Sequence, residues 1–136
     1  MAKLLERLKD PTRSGVYRIT KAHAVLEALE GSAIDLARIA ANGRALFEAI
    51  AEALHFPHWF GYNWDALEDC LTDLAWRERA GHVLLFEDFP QGDELGVLID
   101  VLRSSAQYWA SRKRPFFAVF VDPDRRLALP DLYRER

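Results

Sequence analysis

Apolar residues recur along this chain in two rhythms. His82–Phe86 (HVLLF) and Phe116–Val121 (FFAVFV) are nearly continuous apolar runs, as expected of strands covered on both faces. Val16–Ile19 (VYRI), after Gly15, and Ser32–Leu36 (SAIDL) are shorter β-prone runs. Between them the spacing becomes helical. Residues 2–9 form a short helical turn stopped by Asp10-Pro11, and Thr20 caps a helix that Gly31 ends. Asn42 caps a helix over Gly43–Leu54, with Leu46, Phe47, Ile50 and Leu54 toward the core. His55-Phe56-Pro57 closes that helix, because a residue before proline avoids the helical region. Asp93 caps a long helix to Lys113, with Leu95, Leu98, Ile99, Leu102, Ala106 and Trp109 as its buried stripe. Strands alternating with helices predict an α/β fold: a small parallel sheet of three to four strands packed by helices. No repeat, low-complexity tract or linker divides the chain, so residues 1–136 read as one domain.

The most informative stretch is residues 56–76, FPHWFGYNWDALEDCLTDLAW. Trp59, Phe60 and Tyr62 lead through Gly61 into a helix predicted over 63–76. With Asp65 at zero on a helical wheel, Asp65, Glu68, Asp69, Thr72 and Asp73 fall between about −60° and about +80°. Trp64, Ala66, Leu67, Cys70, Leu71 and Leu74 fill the opposite arc. One face is apolar and the other carries carboxylates with no base. The pairs Asp65/Asp69 and Asp69/Asp73, at i,i+4, repel each other on a helix. A helix serving stability alone is easier to build with alternating signs, although a solvated charged face is common. Asp65 also has an ordinary role, since a first-turn carboxylate favours the helix dipole. That leaves Glu68, Asp69 and Asp73 unaccounted for. Four aromatics at 59, 60, 62 and 64 cannot all point inward, and exposed aromatics beside charge are typical interface anchors.

Charge distribution sharpens this picture. Residues 65–100 hold ten acids against two bases, a local charge of −8, while the rest holds 11 acids and 16 bases, or +5. The total is only −3. Such a concentrated negative field suits a basic partner and disfavours nucleic acid or an anionic membrane. Arg112, Lys113 and Arg114 complement the C-terminal dipole of the long helix. Cys70, the single cysteine, lies on the apolar face and reads as a buried structural thiol. The N-terminus has no secretory pattern, and no apolar run reaches the roughly 20 residues needed to span a bilayer. The expectation is a soluble cytoplasmic protein.

Chemistry-bearing motifs are sparse. There is no Walker-type loop and no G-x-G-x-x-G, and one cysteine with His23, His55, His58 and His82 lacks zinc-ligand spacing. Neither cofactor nor metal is expected. Paired carboxylates can act as acid and base, but such pairs usually face each other across a cleft. A row on consecutive turns of one helix is convex instead, so no enzymatic activity is expected.

The run Phe56-Pro57-x-x-Phe60-Gly61-x-Asn63-x-Asp65-Ala66-Leu67-x-Asp69-Cys70-Leu71-Thr72 closely resembles the signature of the barstar family, intracellular inhibitors of secreted ribonucleases. The order of the remaining elements extends the likeness over roughly residues 32–121. Residues 1–31 then form an N-terminal extension, and residues 122–136 a polar, loosely attached tail. The resemblance implies a compact parallel α/β fold that plugs a ribonuclease active site with the helix and its preceding loop. By position, Asp65 and Asp69 match the inhibitory carboxylates, Trp59 matches an aromatic contact, and Gly61 and Asn63 occupy the loop entering the helix. Glu68 stands where the compact inhibitor has a tryptophan contact, and Asp73 where its helix ends at glycine. The family's later acidic contact falls near Ser104, to which no role is assigned.

Together these features predict a barstar-like inhibitor or immunity protein for a basic, barnase-like extracellular ribonuclease. Asp65 and Asp69 would mimic RNA phosphates, Trp59 would anchor, and Glu68 and Asp73 would widen the acidic patch. The alternative is an interaction module for another basic partner, such as a different toxin or a nucleic-acid-binding protein.

Overall fold

The apolar runs become a parallel sheet whose two faces are both covered. The computed structural model describes residues 2–41 and 45–133. Its strands are β1 (Gly15–Ile19), β2 (Ile34–Ile39), β3 (Gly81–Phe86) and β4 (Phe116–Val121). They form one all-parallel sheet in the order β1-β4-β3-β2. Its central strands, β3 and β4, are the two continuous apolar runs. Leu84, Phe86, Phe116, Ala118 and Phe120 point to one face, while Val83, Leu85, Phe117 and Val119 point to the other. The first face packs α3 (Leu46–Leu54), α4 (Trp64–Leu71) and α5 (Asp93–Ser111). The second packs α1 (Ala2–Leu8) and α2 (Ala22–Leu29). Period-2 alternation therefore places apolar side chains in a core on each side.

Several boundaries differ from the sequence expectation. Lys21, not Thr20, precedes α2 and makes no side-chain cap. β2 starts two residues late and runs past Leu36 to Ile39. Gly92, with φ 72°, is the N-cap of α5, and Asp93 is its first helical residue. That helix stops at Ser111, short of Lys113. Ala45 precedes α3; the expected cap Asn42 and the start at Gly43 lie outside the described residues.

The ends of the chain are better integrated than expected. The first 31 residues supply edge strand β1, and bring Leu4, Leu8, Val25 and Leu29 onto the second face of the sheet. As far as Tyr133 the tail packs against the rest of the chain instead of being loosely attached. Leu127, Leu129 and Leu132 are buried. Buried Asp122 turns the chain back by accepting from the backbone N–H groups of Arg126 (3.0 Å) and Leu127 (2.8 Å). Arg18 donates its N–H to Pro130 O, its own carbonyl accepts from Leu132 N, and its guanidinium pairs with Asp131 at 2.9 Å. Part of the outer edge of β1 is thereby sealed. The polar composition of the tail masked three leucines spaced to reach the core.

One polar cluster is buried between β2, β3 and the segment after α4. Asp35 accepts a two-pronged contact from Arg77, with Nε at 2.8 Å and a terminal nitrogen at 2.7 Å. His82 Nδ1 lies 3.1 Å from the same carboxylate, and the other Arg77 nitrogen lies 3.0 Å from His55 Nδ1. Burial alone would raise the pKa of Asp35, but hydrogen bonds from His82 and Arg77 and the Arg77 charge outweigh it, holding the pKa at about 2. A depressed folded-state pKa stabilises the fold above the ordinary value of 3.8, and that stabilisation is lost as pH falls toward about 2.

Two outcomes follow for the fold. Asp35→Asn should lower unfolding free energy in urea by about 3 kcal/mol at neutral pH, because it strands Arg77 in a low-dielectric site. The gap between wild type and variant should narrow as pH drops from 3.8 toward about 2. Leu132→Ala should cost about 2–4 kcal/mol in the same assay, whereas a loosely attached tail would leave the transition unmoved.

Candidate functional site

The corner between α3 and α4 is built by sorting aromatic rings. His55 ends α3 in the left-handed conformation (φ 54°), and Phe56 N donates to Ala51 O at 2.9 Å. Pro57 then forbids a helical continuation at its predecessor. Phe60 is buried, with its ring 4.8 Å from Phe56 and 6.3 Å from Phe47. Trp64 sets its edge against Phe47 at 4.8 Å. With those two rings turned inward, Trp59 and Tyr62 remain 57% and 56% exposed. Tyr62 has φ 54°, an uncommon conformation for a bulky residue, and its ring lies 4.8 Å from that of Phe60.

Asn63 starts α4. Its Oδ1 accepts from Ala66 N at 2.8 Å, and its Nδ2 donates to Gly61 O at 3.2 Å. A Cβ at Gly61 would lie 3.1 Å from that Nδ2, so a larger residue there would press on the cap. Leu67, Cys70 and Leu71 are fully buried on the inner face. Trp109 of α5 donates its indole N–H to Leu71 O at 2.7 Å, tying the end of α4 to α5. Burial, with Asp73 and Asp69 adding to it, pushes the Cys70 thiol up to about 11. It is a structural thiol with little thiolate character at neutral pH.

The helix is shorter than predicted. It ends at Leu71, with Thr72 as its C-cap, and Leu74 turns the chain at φ 49°. Residues 75–77 form a separate 3-10 turn. The chain leaves the helix because its next side chains find partners off the axis: Trp76 Nε1 donates to Leu54 O at 2.9 Å, and Arg77 grips Asp35. Asp73 therefore sits in the turn after α4, and the repulsive helical pair Asp69/Asp73 is not formed as such.

Asp65, Glu68, Asp69 and Asp73 are all exposed. Among the described residues none of them joins an ion pair. Exposed Gly61, Asn63 and Trp59 lead into this row, so the seven sequence-selected positions form one neighbourhood. Sequence reasoning left two features out of the site. Tyr62 is exposed beside Trp59, and an open cleft of about 450 Å³ runs from Tyr62 and Phe56 to Glu48 and Glu52 on α3. The i,i+4 spacing of those glutamates was a usable signal. Among the described residues no group of three His, Cys, Asp or Glu side chains could hold a metal. No helix among them is long and apolar enough to cross a membrane.

Residues 31–121 match the family model described as Barstar (barnase inhibitor), which covers more than half of the chain. The chain belongs to the barstar family. A search of curated proteins gives no match. The barstar region contains β2, β3, β4, α3, α4 and α5, with the aromatic loop and the acidic row inside it. α1, β1, α2 and residues 122–133 lie outside the matched range.

If Asn63 holds the start of α4, Asn63→Ala should cost about 1 kcal/mol in urea unfolding, and Asn63→Asp should recover most of it. Equal stability of all three proteins would show the cap to be dispensable.

Proposed function

We propose that this barstar-family chain inhibits a basic ribonuclease by laying α4 and the Trp59 loop over its active site. The observation that carries this reading is the exposed, unpaired row Asp65, Glu68, Asp69 and Asp73 beside two exposed aromatic rings. A ribonuclease site is cationic because it holds phosphates and stabilises a charged transition state. Carboxylates on successive turns can occupy phosphate positions and accept forked hydrogen bonds from arginine. Asp65 and Asp69 take that role, Trp59 anchors at the edge, and Glu68 and Asp73 extend the negative field that speeds encounter at low salt. The row follows the convex outer face of α4 and the turn after it, so it lacks the facing pair of carboxyls that acid–base hydrolysis needs. A non-catalytic cytoplasmic inhibitor, protecting its host from a secreted nuclease, fits these features.

The test is residual RNA cleavage by a barnase-type ribonuclease titrated with wild type and Asp69→Ala. Wild type should inhibit. Asp69→Ala should lose about 2–5 kcal/mol of binding free energy, a range that complexes of this family themselves helped to define. Raising salt should slow association for wild type more than for the variant. No inhibition by micromolar wild type would overturn this partner class, and binding without inhibition would point to another basic partner. Equal inhibition by both proteins would remove Asp69 from the mechanism.

A further inference from the structure

Among the described residues, five other than glycine hold the left-handed backbone conformation, and four of them have a local reason for it. His55 and Lys113 follow the ends of α3 and α5, where a left-handed residue lets the chain leave a helix. Leu74 is buried just beyond the end of α4. Arg125 closes a turn, its N–H donating to Asp122 O at 3.1 Å. Tyr62, at φ 54°, has no such reason. It ends no helix, its N–H and carbonyl join no hydrogen bond among the described residues, and its ring is 56% exposed. Gly61, one residue earlier, is not in the left-handed region, so the glycine of the loop does not carry the strain. Asparagine or glycine at position 62 would adopt this backbone at less cost. Such strain persists where the surroundings hold a side chain in a set place, and here that side chain faces solvent. What holds it is the buried Phe60 ring at 4.8 Å and the loop closure from Asn63 Nδ2 to Gly61 O.

The surface around Tyr62 keeps one sign of charge. Through Asn63 it adjoins the acidic row. On its other side the cleft it shares with Phe56 runs to Glu48 and Glu52 of α3, and no base among the described residues lines it. Glu48 is exposed and joins no ion pair among the described residues. A second copy of this chain would set this acidic surface against itself, which like charges oppose. A basic partner matches it on both sides of the loop.

We infer that Tyr62 is a second anchor of the docking surface, its ring covered by the rim of the basic ribonuclease's groove on the side of α3. The strained backbone holds the ring out for that contact. The inference rests on the proposed function for the partner, and adds to it a contact that the acidic row does not make. An aromatic ring brings a large contact area with only two side-chain torsions to fix, so it acts on how long a complex lasts. Salt-sensitive encounter is left to the carboxylates.

The experiment compares wild type, Tyr62→Asn and Tyr62→Phe. It measures the urea unfolding midpoint and the association and dissociation rates with a barnase-type ribonuclease. Asparagine accepts the left-handed backbone, so Tyr62→Asn should leave the midpoint unchanged or raise it. The same variant should dissociate at least about tenfold faster, with an association rate within about twofold of wild type. Tyr62→Phe keeps the ring and should match wild type within about threefold. A midpoint and an affinity that fall together in Tyr62→Asn would show the ring to be structural and overturn the anchor. Unchanged dissociation of Tyr62→Asn would overturn it too, while keeping the acidic row. A dimer of free wild type that Tyr62→Asn abolishes would assign the ring to self-association instead. Wild type that neither binds nor inhibits the ribonuclease removes the proposed function, and this contact with it.

Discussion

A helix that keeps one face negative and unpaired must be held by everything else around it. In α4 the like charges of Asp65 and Asp69, one turn apart, oppose helix formation by a few tenths of a kcal/mol at most. Burying Leu67, Cys70 and Leu71 completely outweighs that many times over, since each large apolar side chain contributes roughly 1.5–3 kcal/mol. The helix has only eight residues, too few to be stable alone. Its packing on α5 and α3, fixed at its end by the Trp109–Leu71 bond, makes the acidic surface possible.

The two ends of α4 are secured differently. At its start, Asn63 caps the helix, and the inward rings Phe60 and Trp64 fix the loop so that Trp59 and Tyr62 stay outside. At its exit, Trp76 and Arg77 carry the chain off the helix axis and into the interior. The Asp35–Arg77–His82 cluster is all polar, yet every buried side-chain nitrogen and oxygen among the described residues has a partner. Satisfied in this way, the cluster fixes where the segment after α4 must lie. It also places an imidazole behind the end of the acidic row.

The barstar-matching core supplies three strands and the helices on one face of the sheet. The opposite face of those strands carries Val83, Leu85, Phe117 and Val119, which would meet water without a cover. In this chain the first 31 residues provide that cover through α1 and α2, and β1 lengthens the sheet at its β4 edge. Leu132 from the tail joins the same core. α1 and α2 cover the face of the sheet opposite α4, so they bear on the stability of the sheet.

Much of this was legible in the residues alone. Continuous apolar runs identify β3 and β4 because only strands covered on both faces lack alternation. The segregation of Asp65, Glu68 and Asp69 from Leu67, Cys70 and Leu71 is a matter of 3.6-residue geometry, which local sequence dictates. Pro57 as a stop and a helix start near Asn63 are likewise local chemistry. What the sequence could not settle depended on partners distant along the chain. The helix ends before Asp73 because Arg77 meets Asp35, forty-two positions away. The tail docks because its leucines find a core made mainly by other segments, and Arg18 sits opposite Asp131. Which of four neighbouring aromatics face solvent was decided by the space between Phe47 and Phe56. Local pattern sets the faces of an element; where it stops, and what it shows to solvent, is set by packing that only the folded chain brings together.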